Sequence, residues 1–153
     1  MEYNSYLGEA HKSVKIAEHL FTVTYPLSHD LKLLLSILFN LHKAQKYSLT
    51  ALLEKKMEQK QIPILPNEYR KRLFWLQLNY DFLKLDKELV DLLFEVDSIL
   101  SLHEKCPIEF VRKDRFVLCT DTYNIKTISA KEINQYLIKT KLFIDKITSN
   151  LAS

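Results

Sequence analysis

Glycine is nearly missing from this chain: Gly8 is the only one in 153 residues, alongside four prolines. A protein of many β-turns needs Gly, Asn-Gly or Asp-Gly corners, so this scarcity weighs against an all-β fold and favours long helices. It also leaves no G-x-x-x-x-G-K-S/T loop, G-x-G-x-x-G turn or G-x-S-x-G elbow, and the histidine spacings give no H-E-x-x-H helix. Enzyme classes built on those motifs are excluded, and the expectation is a protein without catalytic activity. The two cysteines do not make a disulfide framework in a chain long enough to build its own core. Purely apolar stretches reach only a few residues, too short to span a membrane. The start, MEYNSYLGEAHKSVK, lacks the basic region and apolar run of a signal peptide. Cytoplasmic residence with reduced thiols is the expectation, with no cofactor and no membrane partner.

What is present is apolar and charged in the balance of a folded protein, 47% hydrophobic and 27% charged. The length matches one domain spanning residues 1–153. A formal charge of +3 is mild for a nucleic-acid binder. It is unevenly spread, because Glu54 to Arg72 is basic whereas Leu73 to Leu102 is acidic.

Leu7, Ala10, Val14, Ala17 and Phe21 recur at three and four, which predicts a first helix from Leu7 that stops before Pro26. Ser28, His29 and Asp30 offer caps to a long second helix reaching Lys60, apolar on more than one side and therefore placed at the bundle centre. After the proline-punctuated stretch 61–66, Asn67 can cap a third helix with Leu73, Leu76, Tyr80 and Leu83 on its buried stripe. A fresh stripe of Leu89, Leu92, Leu93, Val96 and Ile99 predicts a break near Asp86. The period then changes to two. Ile108 and Phe110, then Phe116 and Leu118, alternate with Glu109, Val111, Val117 and Cys119, predicting a β-hairpin within about 108–128, with 122–128 available as a third strand. Ser129 and Glu132 form a capping box ahead of a last helix carrying Ile133, Leu137, Ile144, Ile147 and Leu151. The predicted fold is mainly α, an antiparallel four- to five-helix bundle with a β-hairpin before the last helix.

The stretch from His103 to Cys119, ahead of that capped helix, resembles a group of small archaeal helical proteins with no established activity to carry over. The helical core more loosely resembles the HEPN superfamily, whose active members pair an Arg with a His four to six residues later to cleave RNA. That resemblance implies a hydrolase, but none of Arg70, Arg72, Arg112 and Arg115 has a His in that window.

Three groups of residues remain as candidate sites. His103, Cys106, Cys119 and Asp121 would suit a zinc ion if the hairpin folded them together, although the spacing is unlike that of cysteine-pair sites. The alternative is two small buried thiols and a surface imidazole. Arg70, Lys71 and Arg72, with Tyr69, Phe74 and Trp75 beside them, and Arg112, Lys113 and Arg115 between Phe110 and Phe116, mix cations with rings as nucleic-acid surfaces do. The same pattern arises when rings enter the core and the charges face water. Phe74, Trp75, Leu78 and Phe82 form a stripe for a protein partner or a second copy of the chain. His42, in phase with Leu38, Gln45 and Leu49, would be a buried imidazole, and no nucleophile is spaced beside it. The leading expectation is a non-catalytic protein-binding or assembly domain that self-associates, with an RNA accessory protein and a HEPN-like hydrolase as alternatives.

Overall fold

The computed structural model describes residues 2–106, 108–120, 122 and 124–152. Helix α1 (Glu2–His19) buries Leu7, Ala10, Val14 and Ala17, as their spacing requires. The helical run that it starts does not stop before Pro26. A π-helical segment, Leu20–Thr24, leads directly into a short helix, α2 (Tyr25–Ser28), with Pro26 in its first turn. The wider π turn rephases the chain just before it: the Tyr25 amide donates to the Leu20 carbonyl five residues back, so the proline, which has no N–H to donate, enters where the ladder has already left the α register. Ser28 and Asp30 organise the following turn and do not cap the next helix. Ser28 Oγ accepts from the Asp30 amide at 3.2 Å, and Asp30 Oδ1 from the Lys32 amide at 3.0 Å.

Helix α3 (Leu33–Glu58) runs through the middle of the bundle. Leu34, Leu38, Leu41, Leu49 and Leu52 are buried on it, and so are Ile37, Ala44 and Ala51, because α1, α5 and α6 pack around it. Its first half belongs to a core cluster with Val96, Ile99, Phe116, Ile128 and Ile144. Its second half belongs to another with Leu73, Leu76, Leu93, Phe143 and Ile147.

Helix α4 (Tyr69–Asn79) follows the proline-rich connection, and its entry is fixed by Arg72. This arginine is only 5% exposed. Its Nε donates to the Pro66 carbonyl at 2.6 Å, and its Nη2 to Asn67 Oδ1 at 3.2 Å and Glu54 Oε1 at 3.4 Å. Asn67 therefore serves Arg72 and does not cap the helix. The chain turns at Lys84, and α5 (Lys87–Glu104) starts after Asp86, where the change of phase placed a break.

Strands β1 (Ile108–Arg112), β2 (Arg115–Cys119) and β3 (Ile125–Ser129) form an antiparallel sheet in that order. The register pairs Phe110 with Val117 and Val111 with Phe116, so Phe110 lies on the opposite face from Phe116. Phe116, Leu118 and Ile128 join the helical core. Ser129 opens α6 (Ala130–Ala152): its Oγ accepts from the Glu132 amide at 3.4 Å and donates to Glu132 Oε1 at 3.2 Å. The bundle with strands inserted before the last helix is the architecture expected from the periodicities. Four residues, His29, Lys60, Lys84 and Lys113, hold a left-handed φ of 52–58°, whereas Gly8 sits inside α1 facing open space.

Candidate functional site

The outer side of α4 is the most exposed apolar surface that the sequence singled out. Only Arg72, Leu73 and Leu76 of this helix are buried. Phe74 and Leu78, one turn apart on α4, are 53% and 85% exposed, and Phe82, in the turn that follows the helix, is 60% exposed, while Trp75 is half-buried. Phe74 meets Phe94 of α5 edge-on at 5.5 Å, and the Arg70 guanidinium lies 5.2 Å from the Phe94 ring and 5.9 Å from the Phe74 ring. At the start of the same helix Lys71 pairs with Glu68 at 3.1 Å.

Behind this stripe, three helices meet at Asp97. Nε2 of His42 donates to Asp97 Oδ1 at 2.9 Å and Nη1 of Arg70 to Oδ2 at 2.7 Å, joining α3, α4 and α5. His42 is half-buried, not sunk in the core, and its carboxylate partner stands 55 positions away in the chain. Burial works against the charged Asp97, but the hydrogen bonds and positive charges of His42 and Arg70 outweigh it and hold its carboxyl below the usual carboxylate range. A carboxyl lowered in the folded state contributes stability above its unfolded value, about 3.9, and loses it as pH falls through the folded value. Asp97→Asn is therefore expected to lose about 1–2 kcal/mol at neutral pH, and its gap from the parent protein should narrow below about pH 4 in urea titrations. The Tyr69 hydroxyl beside this group is pushed well up by burial and the Asp97 charge, and its ring meets His42 edge-on at 5.4 Å.

A cleft of about 470 Å³ opens along α1 and α3 next to His42. Its rings are Tyr6, Phe39 and Tyr47, and its cations are Lys43 and Lys46. Tyr6 and Tyr47 stack with centroids 6.2 Å apart and planes 28° apart. Lys43 Nζ lies 6.0 Å from the Tyr47 centroid and Lys46 Nζ 5.4 Å from that of Tyr69. The spacing 39, 43, 46 and 50 on α3 is one helical stripe, a signal that the sequence held among its many apolar positions.

The hairpin cations occupy a different cleft. Arg112, Lys113 and Arg115 surround about 410 Å³ with Phe110, Val117 and Thr127 on the outer face of the sheet. Arg112 and Arg115 are cross-strand partners and share that face with Phe110. Arg70 and Lys71 are exposed on α4, whereas Arg72 is buried and works as a clamp on the connection that precedes the helix. Three of the four residues considered for zinc have other engagements. Nδ1 of His103 lies at 2.5 Å from Glu109 Oε1, the Cys106 thiol donates to the Cys119 carbonyl at 2.7 Å, and the Cys119 thiol to the Thr120 carbonyl at 3.4 Å. Asp121 lies outside the described residues. Among the described residues no group of three or more His, Cys, Asp or Glu side chains could hold a metal, and no helix is long and apolar enough to cross a membrane.

Compared with known proteins, the chain matches no family profile, no curated protein and no solved structure.

Proposed function

We propose that this chain is a non-catalytic assembly domain that associates with a second copy of itself through the outer face of α4. The observation that supports the reading is the exposure of Phe74 and Leu78, one turn apart on a helix whose other side is anchored, and of Phe82 in the turn just after it. Apolar side chains in contiguous rows are costly to leave in water and mark contact faces. The charges at the two ends of the stripe favour self-pairing over a heterologous partner. Arg70 and Lys71 stand at its N-terminal end and Asp81 at its C-terminal end, all exposed. Two copies of α4 crossing antiparallel about a two-fold axis would set each basic end against the other copy's acidic end. Three side chains make a small patch beside the roughly 800 Å² per partner of a stable interface, so the association is weak and concentration-dependent.

Sedimentation over a wide concentration range is expected to reveal a reversible dimer that disappears in Phe74→Ser/Leu78→Asp, with the circular dichroism spectrum unchanged. Asp81→Lys should weaken the dimer, and adding Lys71→Glu should restore it in part. A strict monomer at the highest concentration reached would sink the reading.

A further inference from the structure

We propose that the cleft between α1 and α3 is a nucleotide site, taking either a free mononucleotide or one unit of a single strand. It lies apart from the proposed dimer face and does not depend on it. Two requirements of such a ligand meet here: planar walls for the ring and uncommitted cations for the phosphate. Tyr6, Tyr47 and Phe39 supply the walls, and Phe39 is held upright by edge-on contact with His103 at 5.9 Å. The cations are Lys43 and Lys46, one helical turn apart on the same face of α3.

What distinguishes these lysines is that each lies beside an aromatic ring, Tyr47 for Lys43 and Tyr69 for Lys46, with no carboxylate of the described residues within ion-pair distance. Among the described residues, Lys71, Lys126, Lys139, Lys141 and Lys146 each sit within ion-pair distance of a carboxylate, and neither Lys43 nor Lys46 does. Asp97, the carboxylate bonded to His42 on the cleft wall, is already occupied by His42 on one oxygen and Arg70 on the other. The cleft is left with net positive charge over aromatic faces. Asn40 adds an acceptor: its Nδ2 is engaged with the Ser36 carbonyl at 2.9 Å, which leaves Oδ1 for the edge of a base. At about 470 Å³ the space fits within the roughly 300–1,000 Å³ of small-ligand sites. The hairpin cleft has more cations but a single ring, Phe110, and offers no second wall.

The test is calorimetric titration of the intact chain at low salt with adenosine monophosphate, with a short single-stranded RNA of mixed sequence, and with inorganic phosphate. Binding of the first or second, weakening as salt rises, is expected. Comparable affinity for the two would identify a free nucleotide as sufficient, and binding of the strand alone would identify the strand; either supports the site. Lys43→Glu/Lys46→Glu should reduce affinity at least tenfold, and Tyr47→Ala by about tenfold through the lost stack. Both lysines are exposed, so their variants should melt as the parent does, and Tyr47→Phe should rescue Tyr47→Ala because it restores the ring. Arg112→Glu/Lys113→Glu should leave binding unchanged. No binding of either nucleotide ligand, equal binding of inorganic phosphate, or loss on the hairpin change and not on the lysine change would overturn the proposal.

Discussion

Arg72→Ala is expected to lower the free energy of unfolding by about 3 kcal/mol, whereas Lys71→Ala one position earlier should change it by less than about 0.5 kcal/mol. The two residues are chemically alike and adjacent, but their surroundings differ. Lys71 holds an exposed pair with Glu68 that water and salt screen. The Arg72 guanidinium is enclosed, and removing it empties a buried site and breaks its hydrogen bonds to the Pro66 carbonyl and the Asn67 amide oxygen. Hydrogen bonds made by a charged group contribute about 1.5–3 kcal/mol each, which sets the scale. The Glu54 contribution is smaller because that carboxylate still reaches solvent. Arg72→Lys should recover only part of the loss, since an ammonium cannot fork to both sides of the connection. Urea denaturation of the three variants checks the ranking, and equal destabilisation by Lys71→Ala and Arg72→Ala would contradict the clamp.

Phe116→Ala is expected to cost about 3–5 kcal/mol, from lost burial and the cavity left behind. The ring is 1% exposed and belongs to a cluster with Leu38, Val96 and Ile128, so it fixes the sheet to α3 and α5. For a chain of this size the loss corresponds to a fall in Tm of roughly 6–20 °C. Trp75, the one tryptophan, sits on α4 in the other core cluster and reports from the far half. If the two clusters unfold as one unit, its fluorescence and the far-ultraviolet circular dichroism should move together to the lower temperature. An unchanged Trp75 transition, with a separate early loss of strand signal, would mean that the sheet is an independent annex.

The helices were legible because their buried positions obey a period that few other arrangements satisfy. Leu7, Ala10, Val14 and Ala17 are buried as read, and the break before Asp86 followed from the new phase starting at Leu89. Pro26 was misleading for a local reason, since the rule that a helix stops before proline assumes α geometry on the preceding turn, and here that turn is π. Alternation located the strands, but β2 is covered on both faces, so Val117 and Cys119 are buried together with Phe116 and Leu118. Two-sided burial removes the contrast that period two depends on.

The exposed stripe of Phe74, Leu78 and Phe82 was readable because surplus apolar residues on a short helix and the turn after it have nowhere to go. The Asp97 hub was not readable. His42, Arg70 and Asp97 are brought together by the packing of three helices, and nothing in their separations of 55 and 27 positions encodes it. Arg72 reads as a surface cation for the same reason: Arg70 and Lys71 just before it are exposed, and only the return of the 61–68 segment against Glu54 encloses it.

Where the backbone reverses its twist, at His29, Lys60, Lys84 and Lys113, this protein installs bulky side chains, and its one residue free of that restriction lies within a regular coil. Each such site opposes the native state by about 1–2 kcal/mol, so together they take up a sizeable part of the roughly 5–15 kcal/mol by which domains hold together. That burden is met by the packed interior, in which the leucines of α3 are buried on several sides. Tolerance to harmful substitutions is correspondingly narrow, and the corners are where an engineer would first recover it.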